Sequence, residues 1–201
     1  MQKIGFNQHY GLHQAVINRT KTKTRRTEKC LDKLYSYKKL DIAQQNITRE
    51  GIVLLTDVGI LSIHTRYKID EVVAVAECYE DIANSSYRDV IGMMDSPSTF
   101  KKEFCGAGWS NKMFVKAEYM PHRIVITGIR VERLQDISHE DCMKEGIING
   151  KAISMYTFPG AKLQYGNPIL AYSALIDKPG IGGKGTWERN PWVVVYTFKL
   201  I

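Results

Sequence analysis

The sequence has few of the features that announce a chemistry. Four cysteines, Cys30, Cys78, Cys105 and Cys142, lie far apart with no C-x-x-C pair, so neither a zinc ribbon nor a disulfide framework is indicated, and a reduced cytoplasm is the expected setting. No apolar run approaches the roughly 20 residues needed to span a bilayer, and the N-terminus has no apolar signal core. No Gly-x-Ser-x-Gly is present for an acyl-transfer serine. The run Gly180-Ile181-Gly182-Gly183-Lys184-Gly185 fails as a Walker loop, because Lys178 stands where the first glycine is required and Gly185 where Ser or Thr must follow the lysine. His9 and His13 are four apart but have Gly11 between them and no third ligand nearby, and His64, His122 and His139 join no ligand cluster. No metal and no cofactor is therefore expected.

What is present is charge in one place. The chain has 201 residues, 28 basic and 21 acidic, for a net charge of +7. Residues 19–39 hold nine basic side chains (Arg19, Lys21, Lys23, Arg25, Arg26, Lys29, Lys33, Lys38 and Lys39) against Glu28 and Asp32, and the remainder of the chain is balanced. A localised anion-facing surface follows, rather than a diffusely basic protein. Lys23, Arg25, Arg26 and Lys29 are the candidates for contacts with a phosphate backbone, and Tyr35 and Tyr37 for stacking on bases. The bland alternative is an amphipathic strand over the Thr/Lys alternation, with threonines on one face and a solvated basic face on the other.

The remaining pattern is mixed. Lys3 to Phe6 suggests a short first strand, and Leu12, Ala15, Val16 and Arg19 share one helical face. Ile52 to Ile63 predicts a hairpin around Asp57-Val58-Gly59, with positive φ at Gly59. Val72 to Ala76 is a continuous apolar run that predicts a strand buried on both faces. Between Arg123 and Leu134 the apolar positions change from even to odd at Thr127-Gly128, as a β-bulge would require. Ser138 is a predicted N-cap and Gly146 a predicted C′ stop, which places Glu145 in the last turn of a short helix, against the negative end of its dipole. A short helix is expected over 169–176 and a strand over Trp192 to Leu200. The expected fold is one α+β domain over residues 1–201, built on a curved or barrel-like sheet, with an insertion around 81–111 and loops at 157–168 and 177–191.

Four segments resemble the ASCH family, a branch of the PUA-like superfamily, in its longer bacterial and phage type. Lys21-Thr22-Lys23-Thr24-Arg25-Arg26 is similar to the family's G-x-K-T-x-T-R-R. Asp70 to Glu77 is similar to its G-D-x-V-x-V-x-E. The third segment runs from Met120-Pro121-His122-Arg123-Ile124 through Arg130 to Ile137 and on to Glu145-Gly146-Ile147, and the fourth is the closing strand at Asn190-Pro191-Trp192-Val193. Arg19 and Asp70 each stand where the family has glycine, Thr20 where Arg or Lys is usual, and the chain is nearly twice as long as the small members. The resemblance implies a PUA-like curved sheet or β-barrel flanked by short helices, with a cleft for RNA or a modified nucleoside beside the Lys21–Thr24 segment. It also implies catalytic roles for Lys21, Thr24 and Glu145, in hydrolysing the amide of N4-acetylcytidine or a related N4-acylated cytidine. A non-catalytic RNA-binding module is the alternative. Lys21 and Thr24 would point to opposite faces of one regular strand, so the catalytic reading requires Lys21 to lie in the turn before a strand that begins near Lys23.

Overall fold

A computed structural model describes residues 1–37, 40–85 and 106–201; most of the expected 81–111 insertion, and Lys38 and Lys39, lie outside the described residues. The chain is α+β, with strands in open sheets and several short helices, and among the described residues the strands do not close into a barrel. The chain divides into two compact units, one of residues 1–6, 72–125 and 200–201 and one of residues 7–71 and 126–199.

In the first unit β1 (Lys3–Ile4) runs parallel to β6 (Val72–Val75), and β6 pairs antiparallel with the start of β7 (Arg123–Arg133). The apolar run of β6 is buried at Val73, Ala74 and Val75, while Val72 is exposed at its edge. Ala74 and Ala76 pack with Ile82 and Ala83 of α2 (Tyr79–Ala83) and with Val115 and Met120. His122 Nδ1 lies 3.0 Å from Glu77 Oε1, so this buried carboxylate has a partner inside its own unit.

The second unit contains the rest of β7, with β10 (Trp192–Leu200) beside it and β2 (Lys23–Arg26) paired antiparallel to β10. Burial along β7 falls at Ile124 and Ile126 and then at Ile129 and Val131, the change of phase expected at Thr127-Gly128. Strand β10 is buried on both faces from Trp192 to Tyr196, which its alternation of large and β-branched residues permits. A three-stranded antiparallel sheet is formed by β3 (Ile42–Thr48), β4 (Gly51–Thr56) and β5 (Gly59–Ile63), and Gly59 takes φ +119 at the predicted turn.

Helix α1 (Leu12–Ile17) buries Leu12 and Val16, as its spacing predicts. Helix α3 (His139–Lys144) starts on Ser138, whose Oγ accepts from the Asp141 amide at 3.1 Å. It ends with Glu145 as C-cap and Gly146 at φ +105. A two-stranded ladder of β8 (Ile148–Asn149) and β9 (Tyr156–Thr157) follows, then α4 (Pro168–Ile176), capped by Asn167. The predicted loop at 177–191 contains a further helical turn, α5 (Thr186–Arg189), where the Asp177 side chain accepts from the Trp187 amide at 2.8 Å. No helix among the described residues is long and apolar enough to cross a membrane.

Candidate functional site

The site is built where α1 hands over to β2. The Thr20 and Lys21 amides both donate to the Ala15 carbonyl at 2.9 Å, and Arg19 adopts φ +60, so the chain leaves α1 through a tight left-handed turn. The Thr22 amide then donates to the Lys144 carbonyl and the Thr22 carbonyl accepts from the Phe198 amide, each at 2.9 Å. These two bonds tie the start of the basic segment to the end of α3 and to β10. Strand β2 begins at Lys23, so Lys21 lies before the strand, as the catalytic reading requires.

Lys21 is 2% exposed, and its Nζ donates to the Glu145 carbonyl at 2.7 Å and to Glu145 Oε2 at 2.5 Å. Gly146 makes this approach possible. A Cβ there would sit 3.0 Å from Leu12 Cδ2 and 3.8 Å from Lys21 Cδ, on a backbone at φ +105 that side chains rarely adopt. The other oxygen of Glu145, Oε1, accepts from Arg25 Nη1 at 3.1 Å. Arg25, with no exposed side-chain surface, extends its remaining donors to Glu132, through Nε at 2.7 Å, and to Asp141, through Nη2 at 3.0 Å. Asp141 also accepts from Lys23 and from Arg130, each at 2.5 Å, and Arg130 Nε donates to Glu132 at 2.6 Å.

The electrostatics follow from burial and pairing. Desolvation lowers the proton affinity of Lys21, and the neighbouring Glu145 only partly restores it. For Asp141 burial works the other way, yet hydrogen bonds from Lys23, Arg130 and Arg25 hold its carboxyl well below the usual carboxylate range. Burial also opposes the charge on Arg25, but Glu145 and Glu132 raise its proton affinity above that of an ordinary guanidinium. Tyr172 of α4 and Cys142 of α3 face this cluster in their neutral forms. Burial pushes the tyrosine far up and the thiol to about 12.

The solvated basic face expected of β2 is therefore not what the chain forms. Lys23 and Arg25 point to one face of the strand, opposite Thr197 and Val195, and carboxylates from β7 and α3 engage both. Thr24 and Arg26 alternate to the other face, opposite Tyr196 and Val194. Thr24 is 6% exposed, and its hydroxyl belongs to none of the hydrogen bonds that join Lys21, Arg25 and Glu145. Burial lowers the proton affinity of Arg26, which is half-buried near Tyr67 and Glu28. Lys29 is exposed at the start of a 3₁₀ helix, Lys29–Ser36, that buries Leu31 and Leu34. Of the predicted catalytic residues, Lys21 and Glu145 are brought together and Thr24 stands on a different face. Among the described residues no group of three His, Cys, Asp or Glu side chains is gathered to hold a metal ion.

Glu132, Asp141 and Arg130 are the members of the cluster that sequence reasoning missed. Their signal was spacing: Arg130 and Glu132 share a face of a strand at i, i+2, Asp141 and Glu145 share a face of a helix at i, i+4, and Lys23 and Arg25 repeat the i, i+2 relation. Comparison with known proteins returns no matching family model, no matching curated protein and no matching solved structure.

Proposed function

We propose that this chain is an ASCH-type protein that takes a modified nucleoside beside the Lys21–Thr24 segment and hydrolyses the amide of an N4-acylated cytidine such as N4-acetylcytidine. The observation that carries the reading is the buried Lys21–Glu145 contact, with a lysine of lowered proton affinity held before the strand that bears Thr24. Backbone conformation supports the resemblance as well. Arg19 and Asp70, which stand where the family has glycine, both adopt φ +60, the conformation for which glycine is the default residue.

In this chemistry the neutral Lys21 amine takes the proton of the Thr24 hydroxyl as its oxygen attacks the acyl carbon. Collapse of the tetrahedral adduct breaks the C–N4 bond, and Lys21 returns the proton to the departing amine while Glu145 orients the lysine. Water then hydrolyses the Thr24 ester by the reverse sequence. The step requires Thr24 Oγ within hydrogen-bond reach of Lys21 Nζ when substrate is bound. Incubation of the purified protein with N4-acetylcytidine, followed by chromatography, tests the reading. Cytidine release that disappears in Thr24→Ala and Glu145→Gln supports it, and release unchanged in Thr24→Ala rejects it.

One observation favours a second reading, a non-catalytic RNA-binding module: Thr24 faces away from the side of β2 that meets Glu145. In that case the phosphate contacts come from exposed cations such as Lys29 rather than from Lys23 and Arg25, which carboxylates already hold. Binding to single-stranded RNA would then weaken with salt by a slope of about 0.7 per contact, and Lys29→Gln would reduce that slope while Lys23→Gln would not.

A further inference from the structure

Two basic side chains share Glu145, and they take different oxygens. Lys21 holds Oε2 at 2.5 Å and Arg25 holds Oε1 at 3.1 Å. We infer that Arg25 is a positioning residue that sets whether Lys21 carries a proton, acting through Glu145. The inference rests on Lys21 being the base of the proposed reaction, and it concerns a property of the protein that can be measured without substrate.

Charge balance governs Lys21 because the side chains around it are largely withdrawn from water. Three cations, Lys23, Arg25 and Arg130, interlock with three carboxylates, Glu132, Asp141 and Glu145. This set balances without Lys21, and Arg26 adds a further cation beside it, so a proton on Lys21 puts more positive charge on a carboxylate that Arg25 already shares. The charged groups near Lys21 include Glu145, which favours its proton, and Arg26 and Arg25, which oppose it. Glu145 in turn faces Tyr172 and Cys142, which are neutral. Burial is the main cause that lowers the proton affinity of Lys21, and Glu145 opposes it. Arg25 weakens that opposition, because a guanidinium stays protonated and already neutralises the carboxylate. Nor can it swing aside, since Glu132 holds Nε at 2.7 Å and Asp141 holds Nη2 at 3.0 Å.

The test follows the Lys21 side chain by its ¹³Cε and ¹⁵Nζ resonances in lysine-labelled protein, assigned by loss of the signal in Lys21→Met, across a pH titration. In the unsubstituted protein the Lys21 midpoint is expected below the ordinary lysine value of 10.5. Arg25→Gln leaves the remaining set one charge negative, and the midpoint rises by about 1–3 pH units. Arg25→Lys keeps the charge and moves it less. Arg25→Gln combined with Glu132→Gln restores the balance and brings the midpoint back towards its original position, which a loss of packing alone would not do. Glu132→Gln alone leaves Arg25 in place and adds net positive charge, so it lowers the midpoint further and serves if Arg25→Gln does not fold.

A midpoint at or above 10.5 in the unsubstituted protein overturns the inference, as does a midpoint that ignores both Arg25→Gln and Glu132→Gln. Absence of cytidine release with the expected titration would reject the proposed reaction and leave the role of Arg25 standing. Release with an unresponsive midpoint would do the reverse.

Discussion

Lys21 and Glu145 stand 124 positions apart in the chain and 2.5 Å apart in the fold. Three local devices produce that meeting: the left-handed turn at Arg19, the tie between the Thr22 amide and the Lys144 carbonyl, and the glycine that ends α3 at Gly146. Each can be removed separately.

Gly146→Ala would place a Cβ 3.0 Å from Leu12 Cδ2 on a backbone at φ +105. It is expected to destabilise the fold by at least ~1 kcal/mol. Urea denaturation measures this, and a variant as stable as the parent would show that the close approach of α3 to α1 is not needed.

Arg19→Gly and Asp70→Gly are predicted to be neutral or mildly stabilising, because glycine relieves a left-handed conformation that costs other residues roughly 1–2 kcal/mol, against the entropy that glycine adds to the unfolded chain. Arg19→Val should destabilise by a comparable amount. The reverse order of melting temperatures would contradict the assignment of positive φ at these two positions.

These positions also show how far the sequence could be read. Strands β4, β5, β6, β7 and β10 were legible because alternation or a continuous apolar run marks them, and α3 because Ser138 and Gly146 punctuate it. Strand β3 was not, since Gln44, Gln45 and Asn46 make its middle polar. Gln45 makes sense only in three dimensions, where its side chain exchanges hydrogen bonds with the Val131 backbone at 2.7 and 2.8 Å. The 3₁₀ helix at 29–36 was hidden for a similar reason, its charged residues masking the two leucines that anchor it. In the candidate site, the resemblance pointed to Lys21 and Glu145, but charge counting alone treated Lys23 and Arg25 as open to solvent. Their carboxylate partners come from β7 and α3, more than 100 positions away, and no local pattern pairs them.

Replacing Arg25 by Met removes the central cation from the buried carboxylates of Asp141 and Glu145 and from the half-buried Glu132, and a loss of about 3–5 kcal/mol in urea denaturation is expected. A loss below about 1 kcal/mol would indicate that water enters the cluster and screens it.

The pH dependence of stability should have two limbs in opposite ranges. Asp141 has a folded-state proton affinity below its unfolded value of 3.8, so its contribution is present above that pH and is lost as acid protonates it. Asp141→Asn should therefore flatten the acid limb of a thermal melt series. Lys21 is also lowered, from 10.5, so the unfolded chain holds the extra proton and stability rises with pH between the folded midpoint and 10.5. Lys21→Met should remove that rise. An alkaline limb identical in parent and variant would mean that Lys21 titrates like an ordinary lysine.

The most direct test of the proposed reaction is the rate of cytidine release from N4-acetylcytidine by the parent protein and by Lys21→Met, each first shown to be folded. The account predicts release by the parent and a rate in Lys21→Met lower by at least about 100-fold, the scale on which a positioned general base acts. Equal rates in the two proteins, or no release by either, would contradict it.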